Sequence, residues 1–132
     1  MTRPLAADGV VVLDGEVLVL ERTHDPYEGH WVLPGGFVER EERARGACVR
    51  EVREEVGLEV EVEAFVGLYD DPARDERGTV SAAYRCRPTA DEPAPEPREE
   101  ARRVRTVDPA DPPPMGFDHA GIVADAFEGI GG

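Results

Sequence analysis

The chain has 132 residues, enough for one domain and one modest core. Hydrophobic residues make up 40%, which excludes wholesale disorder. The 29 acids against 15 bases give a net charge of −14, and every base is an arginine because lysine is absent. Such a surface argues against nucleic acid and anionic membranes as partners. The acid excess is also the composition of a salt-adapted protein.

No apolar run is long enough to span a bilayer, and the first ten residues, MTRPLAADGV, lack a signal-type apolar stretch. The expectation is a soluble, cytoplasmic protein. Cys48 and Cys86 form no metal-like cluster and read as two reduced, buried thiols, with a disulfide as the lesser reading.

Residues 6–13 and 16–21 read as two strands joined by an Asp14-Gly15 hairpin turn. A polar loop with Pro26 and Gly29 follows. WVLPGGFVE then reads as a short strand interrupted by Pro34-Gly35-Gly36. A helix is predicted from Arg43 to Val56, stopped by Gly57. Over residues 58–68 the pattern alternates. Leu58, Val60, Val62 and Ala64 share one face, and Glu59, Glu61 and Glu63 the other. A loop, DDPARDERG, leads into the strand TVSAAYRC. Residues 88–98 are rich in proline and acids and read as a mobile surface loop.

A last strand is expected at 102–107, then an irregular connector. Asp118 reads as the N-cap of a C-terminal helix, with Ile122, Val123, Ala126, Phe127 and Ile130 on its apolar face. Strands mixed with two helices define an α/β layered domain over residues 1–132.

The central helix carries the chemistry. A helix advances about 100° per residue. Ala44, Cys48, Val52 and Val56 make its apolar stripe. With Cys48 at zero, Glu55 falls at about −20°, Glu51 at about −60° and Glu54 at about −120°. Arg43, Arg50 and Arg53 fall on the opposite side. A solvated charged face would place the acids opposite the apolar stripe, and Glu51 and Glu55 are not there. Carboxylates crowded beside a core need positive charge. A hard divalent cation, magnesium or manganese, suits an all-oxygen site. Arg50 could instead pair with Glu54 four residues on.

The segment Gly36-x5-Glu42-x7-Arg50-Glu51-Val52-x-Glu54-Glu55-x-Gly57-Leu58 matches the Nudix box at each specified position. The chain therefore resembles the Nudix hydrolases, in the 23 residues from Gly36 to Leu58 and in the order of elements around them. The resemblance implies an α/β/α sandwich with a mixed β-sheet, a central catalytic helix and a C-terminal helix. It implies Mg2+ or Mn2+ held by Glu51, Glu54, Glu55 and the Gly35 carbonyl. Gly36, Glu42 and Arg50 would be supporting residues. One departure is Glu41, where many members carry glycine, and this bears on the local turn and not on the ligands.

DPARDERGTVSAAY (71–84) and FDHAGI (117–122) resemble the ADP-ribose pyrophosphatase branch. That resemblance implies hydrolysis of ADP-ribose to AMP and ribose 5-phosphate. Nucleoside triphosphates, dinucleoside polyphosphates and damaged nucleotides are the alternatives, and a non-catalytic ADP-ribose sensor a weaker one. It also implies a small-molecule nucleotide as partner and allows a homodimer. Glu99 or Glu100 is a candidate general base, Glu100 by preference, with a box glutamate as the other choice. Arg74 and Arg77 read either as substrate ligands or as partners of Asp71, Asp75 and Glu76. Trp31 reads either as core or as a base-stacking ring. His24, His30 and His119 read as surface or capping residues.

Overall fold

The computed structural model describes residues 1–128. Its strands are β1 (Leu5–Leu13), β2 (Glu16–Arg22), β3 (Trp31–Val32), β4 (Gly35–Phe37), β5 (Val60–Tyr69), β6 (Val80–Pro88) and β7 (Ala101–Val107). Its helices are α1 (Ala44–Val56) and α2 (His119–Ala126). The sheet runs β3-β2-β1-β6-β5, with β4 also on β1 and β7 also on β2. It is mixed: β1 is parallel to β6 from Leu5 to Val11 and antiparallel to β2 at Val12 and Leu13. The β1–β2 turn has Asp14 and Gly15 both at positive φ, 50° and 80°. That is the tight-turn geometry an Asp-Gly pair favours, and it fixes the register Leu13↔Glu16.

The two sheet faces carry separate cores. On one, Ala7, Val11 and Tyr84 pack against Cys48, Val52 and Val56 of α1. On the other, Val10, Val19 and Ala83 pack against Ile122, Val123 and Ala126 of α2. The result is the α/β/α sandwich. Burying a side chain of this size contributes about 1.5–3 kcal/mol. This packing, more than helix propensity, fixes the place of a short helix such as α2. Phe127 follows α2 and is partly buried against its core, while Ile130 lies outside the described residues. Cys48 and Cys86 are buried free thiols, 3.7 Å apart at sulfur.

Helix α1 ends as expected, with Gly57 left-handed at φ 71°. The segment 88–98 closes that end: Glu96 and Arg98 donate their N–H groups to the Val56 and Glu55 carbonyls. Carbonyls that the helix leaves unpaired are thereby satisfied.

Three local expectations are corrected. In β5 the alternation breaks: Val62 opposes Cys86, but Ala64 opposes Arg85, because a bulge lies between them. An inserted residue reverses the pleat, so Ala64 leaves the face that Val60 and Val62 share. Phe65 and Leu68 are left exposed at 57% and 55%. Asp118 makes no side-chain cap on α2, because its carboxylate is taken by Arg74. His119 is neither surface nor cap but a buried residue, 5% exposed.

Candidate active site

Between β4, the N-terminal half of β1, α1 and the loops before β6, β7 and α2 lies a cleft of about 380 Å³. That volume lies within the usual range of small-molecule sites. Glu51, Glu54 and Glu55 enter from α1, Gly35 and Gly36 from β4, and Glu99 and Glu100 from the turn before β7. Arg22, Arg74, Arg77, Phe117 and His119 complete much of the remaining wall.

The turn before α1 is built around backbone proximity. A Cβ on Gly36 would stand 2.5 to 2.7 Å from the Glu51 carboxylate atoms. A Cβ on Gly35 would overlap Asp8 Oδ1 and the Ala7 carbonyl. Glycine is thus a steric requirement at 35, where backbone stands in the way, while a side chain at 36 would push the Glu51 carboxylate out of place. The Gly35 N–H donates to Glu55 Oε1 at 2.7 Å, fixing that carboxylate across the cleft.

Arg50 corrects the expectation that the helix arginines face away. Its guanidinium donates to Glu42, to Glu51 Oε1 at 2.8 Å, to Glu54 Oε2 at 3.0 Å and to the Phe37 carbonyl. The Cβ direction is as expected, but the long side chain folds back toward the acids. Hydrogen bonding from Arg50 holds Glu42 down to about 2. Burial pushes Glu51 up against the opposing pull of Arg50. Glu55 lies well above the usual carboxylate range, chiefly through burial, with the charges of Glu51, Glu100 and Asp8 adding to it.

Among the described residues no three His, Cys, Asp or Glu side chains stand together as a preassembled metal site. The donor chemistry nonetheless fits a hard cation. Glu51, Glu54 and Glu55 are oxygen donors on one wall, and the buried, disfavoured charge of Glu55 has no arginine partner.

Arg74 is not free for a ligand. Its side chain is 4% exposed and is bonded to Asp118 at 2.6 and 2.8 Å, to the Thr79 carbonyl and to Ser81. Burial alone would push Asp118 up, but the hydrogen bond and charge of Arg74 bring it below its ordinary value. Arg77 bonds the buried Asp75 carboxylate at 3.2 Å while its own half-exposed guanidinium lies over the rings of Phe37 and Phe117. Trp31 is not brought to the cleft. It packs on the α2-side core, with Arg103 and Arg105 over its ring.

Among the wall residues that sequence reasoning missed are Asp8, Arg22, Phe117 and His119. Asp8 was legible as an acid inside an apolar strand, and it is 5% exposed with Oδ2 unpartnered. Phe117 lay within a quoted motif. It sits at φ 53°, a costly left-handed conformation for an aromatic residue, on the order of 1–3 kcal/mol.

The sandwich and the box-bearing helix above a carboxylate-lined cleft define a class of fold that the comparisons name. The NUDIX domain matches residues 3–126. The chain is 34% identical over 122 residues, 92% of its length and 71% of the relative's, to the ADP-ribose pyrophosphatase of Methanocaldococcus jannaschii. It is 40% identical over 82 residues, 61% of this chain and 49% of the relative, to a MutT-like protein of Streptomyces ambofaciens.

The NUDIX domain of Shewanella oneidensis NrtR, solved with ADP ribose, superposes with a TM-score of 0.82 at 25% identity, covering 97% of this chain and 88% of that one. A bifunctional NMN adenylyltransferase/ADP ribose pyrophosphatase of Francisella tularensis, solved with AMP and a manganese ion, shares the fold. Its TM-score is 0.79 at 24% identity, over 96% of this chain and 42% of that one. The chain belongs to the Nudix family and is a pyrophosphohydrolase. No helix among the described residues is long and apolar enough to cross a membrane.

Proposed function

We propose that this chain is a divalent-metal-dependent hydrolase of ADP-ribose, releasing AMP and ribose 5-phosphate. One observation carries the reading. The guanidiniums of Arg22 and Arg77 stand 5.4 and 5.9 Å from the Phe117 ring, in the same cleft as Glu51, Glu54 and Glu55. Burial lowers the pKa of Arg22, and the charge of Arg77 lowers it further, so the two cations lie close enough to repel. A diphosphate relieves that repulsion, and an aromatic ring beside it suits a nucleobase. The names of the Methanocaldococcus relative and of the Shewanella complex support ADP-ribose in particular.

Glu51, Glu54, Glu55 and the Gly35 carbonyl would hold Mg2+ or Mn2+. Such an ion supplies charge neutralisation at the phosphate oxygens and a lowered pKa for the attacking water. Arg50 keeps Glu51 and Glu54 oriented. Arg22 and Arg77 bind the non-bridging phosphate oxygens. Glu100 accepts the proton of the attacking water at its carboxylate, from a position where its charge already acts on Glu51 and Glu55.

The test is chromatographic detection of AMP with ADP-ribose, nucleoside triphosphates and dinucleoside polyphosphates as substrates, with Mg2+ and with chelator. The expected result is ADP-ribose as the best substrate by kcat/KM, and no turnover with chelator. A triphosphate with the higher kcat/KM overturns the substrate. Undiminished turnover in chelator overturns the metal.

A further inference from the structure

The segment Phe117-Asp118-His119 enters the cleft from the far end of the chain, and the reaction outlined above uses only its first residue. The other two are occupied differently. Asp118 neutralises buried Arg74. His119 Nδ1 accepts the backbone N–H of Leu33 at 2.9 Å, in a buried bond spanning 86 positions.

The recipient of that bond matters. Leu33 begins the Leu33-Pro34-Gly35 turn that joins β3 to β4. Three hydrogen bonds hold this turn. Its first N–H goes to His119, its Pro34 carbonyl accepts from Gly9 N at 2.9 Å, and its Gly35 N–H goes to Glu55 at 2.7 Å. Two of them tie it to β1 and α1. His119 is the tie from α2, and it is a side chain with a single chemical requirement, an acceptor at the δ position.

We propose that His119 is a positioning residue for the metal site. By accepting the Leu33 N–H it fixes the turn that presents the Gly35 carbonyl and holds the Glu55 carboxylate. With Nδ1 as acceptor, the ring proton sits on Nε2, which points toward the orphaned Asp8 Oδ2 at 3.9 Å. This ring orientation leaves His119 no role as a metal ligand through Nδ1. Its effect passes through the turn, as outer partners of metal ligands act elsewhere. The proposal rests on the metal half of the reading above and is independent of which nucleotide is cleaved.

The experiment measures Mn2+ affinity by electron paramagnetic resonance, with no nucleotide present. It compares wild type, His119→Leu, His119→Asn and Ile122→Ala. Leucine removes the acceptor. Asparagine keeps one, since its Oδ1 falls where Nδ1 was. Ile122 is a buried residue of the same helix that shares the core cluster of Leu33 but makes no hydrogen bond to the turn, so its truncation controls for lost packing and destabilisation. Hydrogen exchange of the Leu33 amide reports the bond itself.

The expected result is a Mn2+ dissociation constant raised roughly 10- to 100-fold in His119→Leu. Near wild-type values are expected in His119→Asn and in Ile122→Ala, with Leu33 exchange accelerated only in His119→Leu. Wild-type affinity in His119→Leu with Leu33 deprotected overturns the positioning role and leaves the metal site standing. Equal weakening in Ile122→Ala also overturns it, as a stability effect. A wild-type chain that binds no Mn2+ overturns both.

Discussion

Arg50 grips Glu42 with two nitrogens, Nε on Oε2 at 2.7 Å and Nη2 on Oε1 at 2.9 Å. The same guanidinium spans to Glu51, Glu54 and the Phe37 carbonyl. A planar fork makes such an array and a lysine ammonium does not. Arg50→Lys is therefore expected to disorder the carboxylates and to cost about 1–2 kcal/mol of stability at neutral pH, measured by urea denaturation. Because the pKa of Glu42 is depressed from 4.5 to about 2 on folding, its contribution is present above 4.5 and is lost as pH falls toward about 2. NMR titration of the wild type should place Glu42 near that value. Ordinary titration of Glu42 would contradict the fork.

Glu55 has the opposite sign. Its pKa is raised on folding, chiefly by burial. Its favourable contribution is present below the unfolded value and lost as pH rises through the folded one, so ionising Glu55 opposes folding. Glu55→Gln keeps an acceptor for the Gly35 N–H while removing that charge. In chelator at pH 7 its Tm is expected to exceed that of wild type. The Tm increment that Mn2+ gives the wild type should vanish, and turnover should fall about 100-fold or more. An unchanged Mn2+ increment would remove Glu55 from the ligand set.

Arg74 is expected to behave as structure. Arg74→Ala empties the site of the buried guanidinium and leaves the half-buried Asp118 without its partner, at a cost of about 1–3 kcal/mol. The double variant Arg74→Met, Asp118→Leu should recover much of that loss in thermal denaturation. Arg77 is itself exposed, and the Asp75 carboxylate it leaves keeps the Thr79 N–H, so Arg77→Ala should lower Tm less than Arg74→Ala does and raise KM. An Arg77→Ala destabilised more than Arg74→Ala, with normal KM, would reverse the two assignments.

Salt should stabilise the fold. At −14 the folded chain repels itself. The Debye length falls from about 10 Å at ~0.1 M to about 3 Å at ~1 M, which removes most repulsion between exposed acids. Surface pairs such as Arg87–Glu61 and Arg85–Glu63 offset only some of the excess. Tm at fixed Mg2+ is expected to rise from low salt to molar KCl, with activity retained. A flat or falling Tm would refute the salt-adapted reading of the composition.

The layered fold was legible because its signals are local: the Asp14-Gly15 turn, the apolar stripe of Cys48, Val52 and Val56, and the Gly57 stop. The acids of the box were legible for the same reason. What remained hidden depends on tertiary geometry. The bulge near Val62 leaves no mark on a period-2 pattern until the pairing with β6 is known. Helical angles place the Cβ of Arg50 and say nothing of where the rest of its flexible side chain carries the guanidinium. His119 looked isolated because its partner Leu33 is 86 positions away. Arg22 lay just past a predicted strand, and Phe117 within a motif whose side chains had no assigned roles.

That 86-residue separation bears on how the molecule is made. The box is complete once Leu58 has been synthesised, and α1 needs only local bonds to form. The turn before it stays incompletely tied until His119 has emerged and α2 has docked on the far side of the sheet. Contacts so distant in sequence pay for their loop closure late. An emerging chain thus carries the glutamates of its active centre well before it can fix the Leu33 turn. Competence for cation capture should arrive with the last helix, as one of the final events of folding.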